Sequence, residues 1–143
     1  MTALSMTLLG DPLLAKPIEQ SEVYCLAQVI YFEARGEPIQ GQIAVAHVTI
    51  NRTKSSLFPS TICEVVAQKN PCQYSWYCDG KSDILPNNEQ TVNALALANK
   101  ILTTPFVDTT YGALFFHASS INPGWHNLEK TVEIGTHIFY RRS

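Results

Sequence analysis

At 143 residues, of which 45% are hydrophobic and 15% charged, the chain has room for one domain with one real core and none for a second. Its formal net charge of -2, with no cluster of lysines and arginines, excludes the basic footprint of a nucleic-acid binder or a membrane-surface protein.

Residues 1–20 read as a weakly ordered N-terminal extension ahead of a single domain over 21–143. The extension carries the apolar pieces Met6-Thr7-Leu8-Leu9 and Leu13-Leu14-Ala15 but has no basic start and no long apolar run, so it does not read as a signal peptide. It also falls short of the ~20 apolar residues of a membrane span. No membrane insertion is expected, and no export route is visible in this stretch.

The spacing predicts a first helix over 21–35, with Ser21 as its cap and Glu22 in its first turn. Val23, Leu26, Ile30 and Glu33 follow one another at intervals of three, four and three, so Glu33 continues an apolar stripe. A carboxyl group held against Ile30 and Phe32 loses hydration of its charged form, which raises its pKa and suits it to general acid catalysis. The alternative is a structural Glu33, paired with Arg35 or capping a neighbouring helix. Gly36 and Pro38 stop the helix, and Pro38 disfavours helical geometry at Glu37, which is expected in the turn rather than one helical turn above Glu33.

A second helix is predicted over Gln40–Lys54, with Ala44, Val45 and Ala46 permitting close packing on the first. His47 reads either as a partner of Asn51 or as a satisfied histidine at a helix interface. Ser55 to Pro86 is irregular, punctuated by Phe58-Pro59, Asn70-Pro71 and Asp79-Gly80, with a short helical piece at Ile62–Ala67. Within it, Gln73-Tyr74-Ser75-Trp76-Tyr77 sets aromatic rings beside amide and hydroxyl groups, as sugar recognition requires, although core packing explains some of the rings equally well.

The four cysteines are Cys25, Cys63, Cys72 and Cys78. A disulfide within the last three would staple the loop, leaving one thiol unpaired unless Cys25 joins. There is no C-x-x-C pair or nearby histidine to suggest zinc, and nothing marks a nucleophilic cysteine.

Asn87 or Asn88 is expected to cap a third helix reaching Leu102, with Val92, Leu95, Ala96, Asn99 and Leu102 on one face. The tail segments Ala113–Ala118 and Val132–Tyr140 are rich in β-branched and aromatic residues, with a Pro123-Gly124 turn between them, and predict a small antiparallel hairpin. His117 and Trp125-His126 could then line the same cleft as Glu33.

Taken in order, Glu33-Ala34-Arg35-Gly36-Glu37-Pro38, Gly41 through Arg52 and Phe58-Pro59 resemble the SleB-type cell wall hydrolases, which include spore cortex-lytic enzymes. The resemblance continues through Gln73-Tyr74-Ser75-Trp76, where the family commonly shows Gln-Phe-Ser, then Ala113–Ala118, Pro123-Gly124-Trp125 and Ile134–Tyr140. It covers about residues 21–141.

The resemblance implies an α+β, mainly α, lysozyme-like fold with a small antiparallel sheet. It implies a muramidase of the lytic transglycosylase kind that acts on peptidoglycan glycan strands, with Glu33 as general acid and base and no cofactor or metal. Gln73, Tyr74, Ser75, Trp76, His117 and Trp125 are expected to line the glycan cleft, with Glu37, Arg35 and Asn51 in support around it. A hydrolytic, lysozyme-type muramidase would instead call for a second carboxylate at about 5 Å or about 6.5–9.5 Å, for which Glu37, Asp79 and Asp83 are candidates. A non-catalytic glycan-binding module would use the aromatic loop alone. The expected workplace is the bacterial wall, in the periplasm or outside the cell, as a monomeric domain of an envelope enzyme or of a phage endolysin.

Overall fold

The computed structural model describes residues 19–143. The expected N-terminal extension lies outside these residues, apart from Glu19 and Gln20.

Three long helices carry the core: α1 (Gln20–Ala34), α2 (Ile39–Thr53) and, after the short α3 (Ile62–Val66), α4 (Glu89–Thr103). Helix α1 is central. Leu26, Ala27, Val29 and Ile30 are all buried, because α2, α3 and α4 surround it on several sides. Each fully buried leucine or isoleucine there contributes about 1.5–3 kcal/mol relative to exposure. Ser21 does not cap α1, which begins one residue earlier with Glu19 at the cap position. The neighbouring Glu22 reaches across instead, accepting from the Ile62 and Cys63 amides at 2.7 and 3.2 Å, so a carboxylate from α1 caps α3. Asn88 caps α4 as expected, its side chain accepting from the Thr91 amide.

The face that α4 buries differs from the expected one. Thr91, Ala94, Leu97, Ala98 and Ile101 point inward, whereas Val92 is 61% exposed. The small residues Ala94 and Ala98 allow close approach to α1, and that close packing outweighs burial of the bulkier Val92.

The tail forms a three-stranded antiparallel sheet, β1 (Phe115–Ala118), β2 (Leu128–Ile134) and β3 (His137–Arg142), in the order β1-β3-β2. The expected hairpin is therefore corrected. The segment 132–140 is broken by a turn at Gly135-Thr136, where Gly135 has φ 59°, and β1 pairs with β3 rather than with the strand that follows it. Pro123-Gly124 belongs to the irregular connection between β1 and β2.

All four cysteines are paired, Cys25 with Cys63 and Cys72 with Cys78. The first bridge ties α1 to α3. The second closes the loop that carries a 3-10 turn at Ser75–Cys78.

Candidate active site

Glu33 lies in the last turn of α1, where the apolar stripe has led it to the wall of a cleft of about 330 Å³. The same cleft is lined by Arg52 from α2, Gln73, Tyr74 and Ser75 from the disulfide-closed loop, and Phe116, His117 and His137 from the sheet. Chain segments far apart in sequence thus converge on one carboxylate. Burial pushes the Glu33 carboxyl above its ordinary value, against the opposing pull of a hydrogen bond from Trp76 and the positive charge of Arg52.

Trp76 departs from the expected role of cleft lining. Its ring is buried, stacked on Phe32 at 4.8 Å with the planes 22° apart. Its Nε1 donates to Glu33 Oε2 at 2.8 Å. An indole N–H can only donate, so this oxygen accepts, which leaves Oε1 free to carry the proton when Glu33 is in its acid form. Tyr74 lies beneath the loop at 1% exposure, its hydroxyl hydrogen-bonded to Thr49. Burial raises its phenol pKa further, so it contributes a neutral ring and hydroxyl to the floor. Gln73 and Ser75 stand at the rim.

On the opposite wall, His117 is held at both nitrogens. Nδ1 lies 2.7 Å from the Ala118 carbonyl and Nε2 2.8 Å from the Tyr140 hydroxyl. A carbonyl only accepts, so Nδ1 carries the proton and, in the neutral ring, Nε2 accepts from Tyr140. Trp125 packs edge-on against His117 and Tyr140, both at 5.2 Å, and remains 41% exposed beside the cleft. His126 is exposed beyond it.

The supporting residues have separate positions. Arg35 lies over the Tyr31 ring at 4.5 Å and borders a different cavity, between α1 and α4. Glu37 accepts from the Thr136 amide and hydroxyl, and so holds the β2–β3 turn rather than Arg35. Asn51 donates to Asp108 and to the Ala113 carbonyl, fixing the segment that leads into β1. His47 is a buried interface histidine whose Nδ1 meets the Ile43 carbonyl, not Asn51.

Sequence reasoning passed over Arg52 and His137. The signal for Arg52 was the one that found Glu33, since Val45, Val48, Thr49 and Arg52 form a buried stripe on α2. His137 opens β3, directly opposite Ala118 in register, but the unbroken strand drawn over 132–140 concealed that position. Burial lowers its pKa, so the ring is held neutral.

Among the described residues that line the cleft, Glu33 is the one carboxylate. Of the other candidates, Glu37 is engaged at Thr136 and Asp79 accepts from the Lys81 amide. Asp83 offers its backbone carbonyl to Gln28. The arrangement can therefore supply one tuned acid, a fixed tryptophan donor, a buried cation and a wall of aromatic rings. No helix among the described residues is long and apolar enough to cross a membrane.

The chain resembles known proteins over most of its length. A family model described as cell wall hydrolase matches residues 36–140. The spore cortex-lytic enzyme of Oceanobacillus iheyensis is 34% identical over 122 residues, 84% of this chain and 41% of that protein. That of Bacillus subtilis is 32% identical over 120 residues, 83% of this chain and 37% of that protein. The chain thus spans about two fifths of the length of these relatives. Among solved structures, the catalytic domain of the germination-specific lytic transglycosylase SleB from Bacillus anthracis superposes with a TM-score of 0.68 at 29% identity, covering 90% of this chain and all of that one. The catalytic domain of Bacillus cereus SleB gives 0.67 at 28% identity, covering 90% and 95%. The mainly helical, lysozyme-like architecture is common to these domains, and the chain belongs to the SleB-type cell wall hydrolase family.

Proposed function

We propose that this domain cleaves the bond between N-acetylmuramic acid and N-acetylglucosamine in peptidoglycan by lytic transglycosylation, with Glu33 as general acid and then general base. The observation that carries this reading is a single desolvated carboxylate at the end of an apolar helix, held by Trp76 and facing a cleft with an aromatic wall. Its pKa is raised by burial, which favours the protonated form that a general acid needs.

In the first step the proton on Glu33 Oε1 passes to the glycosidic oxygen as the bond from that oxygen to the muramic C1 breaks. Positive charge develops at C1 and negative charge on Glu33. In the second step the muramic C6 oxygen bonds to C1 and its proton returns to Glu33, closing a 1,6-anhydro ring and restoring the acid. No water is consumed. One carboxyl group suffices for both steps, which agrees with the engagement of Glu37 and Asp79 elsewhere.

Gln73, Ser75, His117 and Trp125 serve the glycan. Amide and hydroxyl groups bond to sugar oxygens, and the exposed edge of Trp125 offers an apolar surface for a pyranose ring. Two disulfides support a workplace in the oxidising periplasm or outside the cell.

The test is digestion of purified peptidoglycan followed by mass spectrometry of the released muropeptides. Anhydro-muramic ends, one water lighter than reducing ends, are expected from the unmodified protein, and none from Glu33→Gln. Reducing ends instead would mean hydrolysis. Binding without cleavage would mean a glycan-binding module, and normal release by Glu33→Gln would remove the assignment of that residue.

A further inference from the structure

Arg52 is a buried cation that takes part in no ion pair among the described residues. It is 4% exposed, and its Nε donates to the Leu114 carbonyl at 2.8 Å. Its guanidinium carbon lies 5.0 Å from the ring centre of Phe58, 5.3 Å from that of Tyr74 and 5.9 Å from that of Phe115. Nη1 is buried without a hydrogen-bond partner. Contacts with aromatic rings offset part of the desolvation cost of a cation. An unpaired buried charge with an orphaned N–H is nevertheless not what stability alone favours, because well-packed apolar residues in such places are often neutral or stabilising.

The cation shares one cleft with Glu33. We propose that Arg52 is a positioning residue for Glu33, a fixed positive charge that stabilises the carboxylate formed when the glycosidic oxygen takes the proton. This rests on Glu33 being the acid and base. Burial disfavours the ionised state, which favours proton delivery but opposes the intermediate in which Glu33 must wait as a base. A charge held rigidly by Leu114 and three rings opposes that penalty without supplying a proton of its own, since a guanidinium does not deprotonate in proteins. The opposition is already visible in the resting acid, whose pKa Arg52 pulls down. The other ionisable groups facing Glu33 are Tyr74 from the loop, His117 from β1 and His137 from β3. Tyr74 and His137 are held neutral by burial, and His117 is engaged at both nitrogens by the Ala118 carbonyl and the Tyr140 hydroxyl, whereas the Arg52 guanidinium is a permanent charge.

The experiment is the pH profile of kcat and KM on soluble glycan strands for the unmodified protein, Arg52→Gln and Arg52→Lys, with circular dichroism confirming the fold. Arg52→Gln should lose about tenfold or more in kcat with KM little changed, and its alkaline limb should move up by about one pH unit as Glu33 holds its proton longer. Arg52→Lys, which keeps the charge, should leave that limb near its original position. An unmoved limb in Arg52→Gln, or equal losses in both variants with no limb displaced, would overturn the proposal in favour of packing. If Arg52→Gln does not fold, Arg52→Met takes its place, and if that also fails, an alkaline limb displaced in Arg52→Lys is the overturning result. The parent reading fails separately, through an active Glu33→Gln; inactive Glu33→Gln beside an unmoved Arg52→Gln limb sinks only this inference.

Discussion

Glu37 and Thr136, 99 positions apart in the chain, are joined by two hydrogen bonds: the Glu37 carboxylate accepts from the Thr136 amide at 3.2 Å and from its hydroxyl at 2.8 Å. The turn after α1 and the turn between β2 and β3 are thereby latched together. Glu33 lies just before the first turn and His137 just after the second, so the latch joins the chain segments that lead into two walls of the cleft.

The latch is exposed to solvent, so its contribution is modest. Glu37→Ala should lower stability by about 1 kcal/mol, seen as a drop of roughly 4 °C in Tm. Gly135→Ala should cost about 1–2 kcal/mol for a left-handed backbone alone, because Gly135 has φ 59°. An added Cβ would also lie 2.6 Å from Glu37 Oε1, so part of the Gly135→Ala penalty should vanish in the Glu37→Ala background. Thermal denaturation of the two single variants and the double variant measures this coupling, and strict additivity would count against the latch.

Trp76→Phe tests the indole donor separately from the ring. Phenylalanine keeps an aromatic surface for the stack on Phe32 but removes the 2.8 Å bond to Glu33 Oε2. Freed of the indole donor that fixes one oxygen, the carboxyl group can rotate, and kcat should fall about tenfold or more with KM little affected. That bond lowers the Glu33 pKa, so its loss should also move the alkaline limb of activity upward. A Trp76→Phe variant with normal kcat would return Trp76 to a packing role.

Local periodicity made part of this site legible and concealed the rest. The 3.6-residue stripe through Val23, Leu26 and Ile30 led to Glu33 without any tertiary information, and Asn88 announced the start of α4. The buried face of α4 did not follow from hydrophobicity, because close contact through Ala94 and Ala98 mattered more than the size of Val92. The sheet order escaped because Gly135 sits inside what reads as one β-prone run. In the aromatic loop, nothing local distinguishes a ring that faces sugar from one that faces the core. Trp76 turned inward because Phe32 and Glu33 offer its two ends a stack and an acceptor. Cys25 joins Cys63 through the packing of α1 on α3, which spacing alone leaves open.

Glu33 should also cost the fold stability at neutral pH. Its folded-state pKa lies above the ordinary glutamate value of 4.5, so the native state holds more protons than the unfolded state in the interval between them. The associated stabilisation is fully present below about pH 4.5 and disappears as the pH rises through the folded-state pKa. Glu33→Gln does not titrate, and its amide oxygen can still accept from Trp76. Its Tm should match that of the unmodified protein in acid and exceed it near neutrality. A difference between the two curves that shrinks with rising pH would contradict the desolvation of Glu33.

The two disulfides should separate stability from catalysis. Cys25–Cys63 closes a separation of 38 residues and Cys72–Cys78 one of 6. Chain-entropy scaling gives them about 4 and about 2 kcal/mol respectively. Replacing Cys25 and Cys63 with serine should therefore lower Tm further than replacing Cys72 and Cys78. The order should reverse in activity. Cys72 lines the cleft and its bridge spans Gln73 through Tyr77, so opening it loosens the loop that holds Trp76 against Glu33. The Cys72→Ser/Cys78→Ser protein should lose kcat at a temperature where it remains folded, whereas Cys25→Ser/Cys63→Ser, below its lowered Tm, should keep most of its turnover. Equal kcat losses in the two folded variants would mean that the short bridge does no more for Glu33 than any other crosslink in the domain.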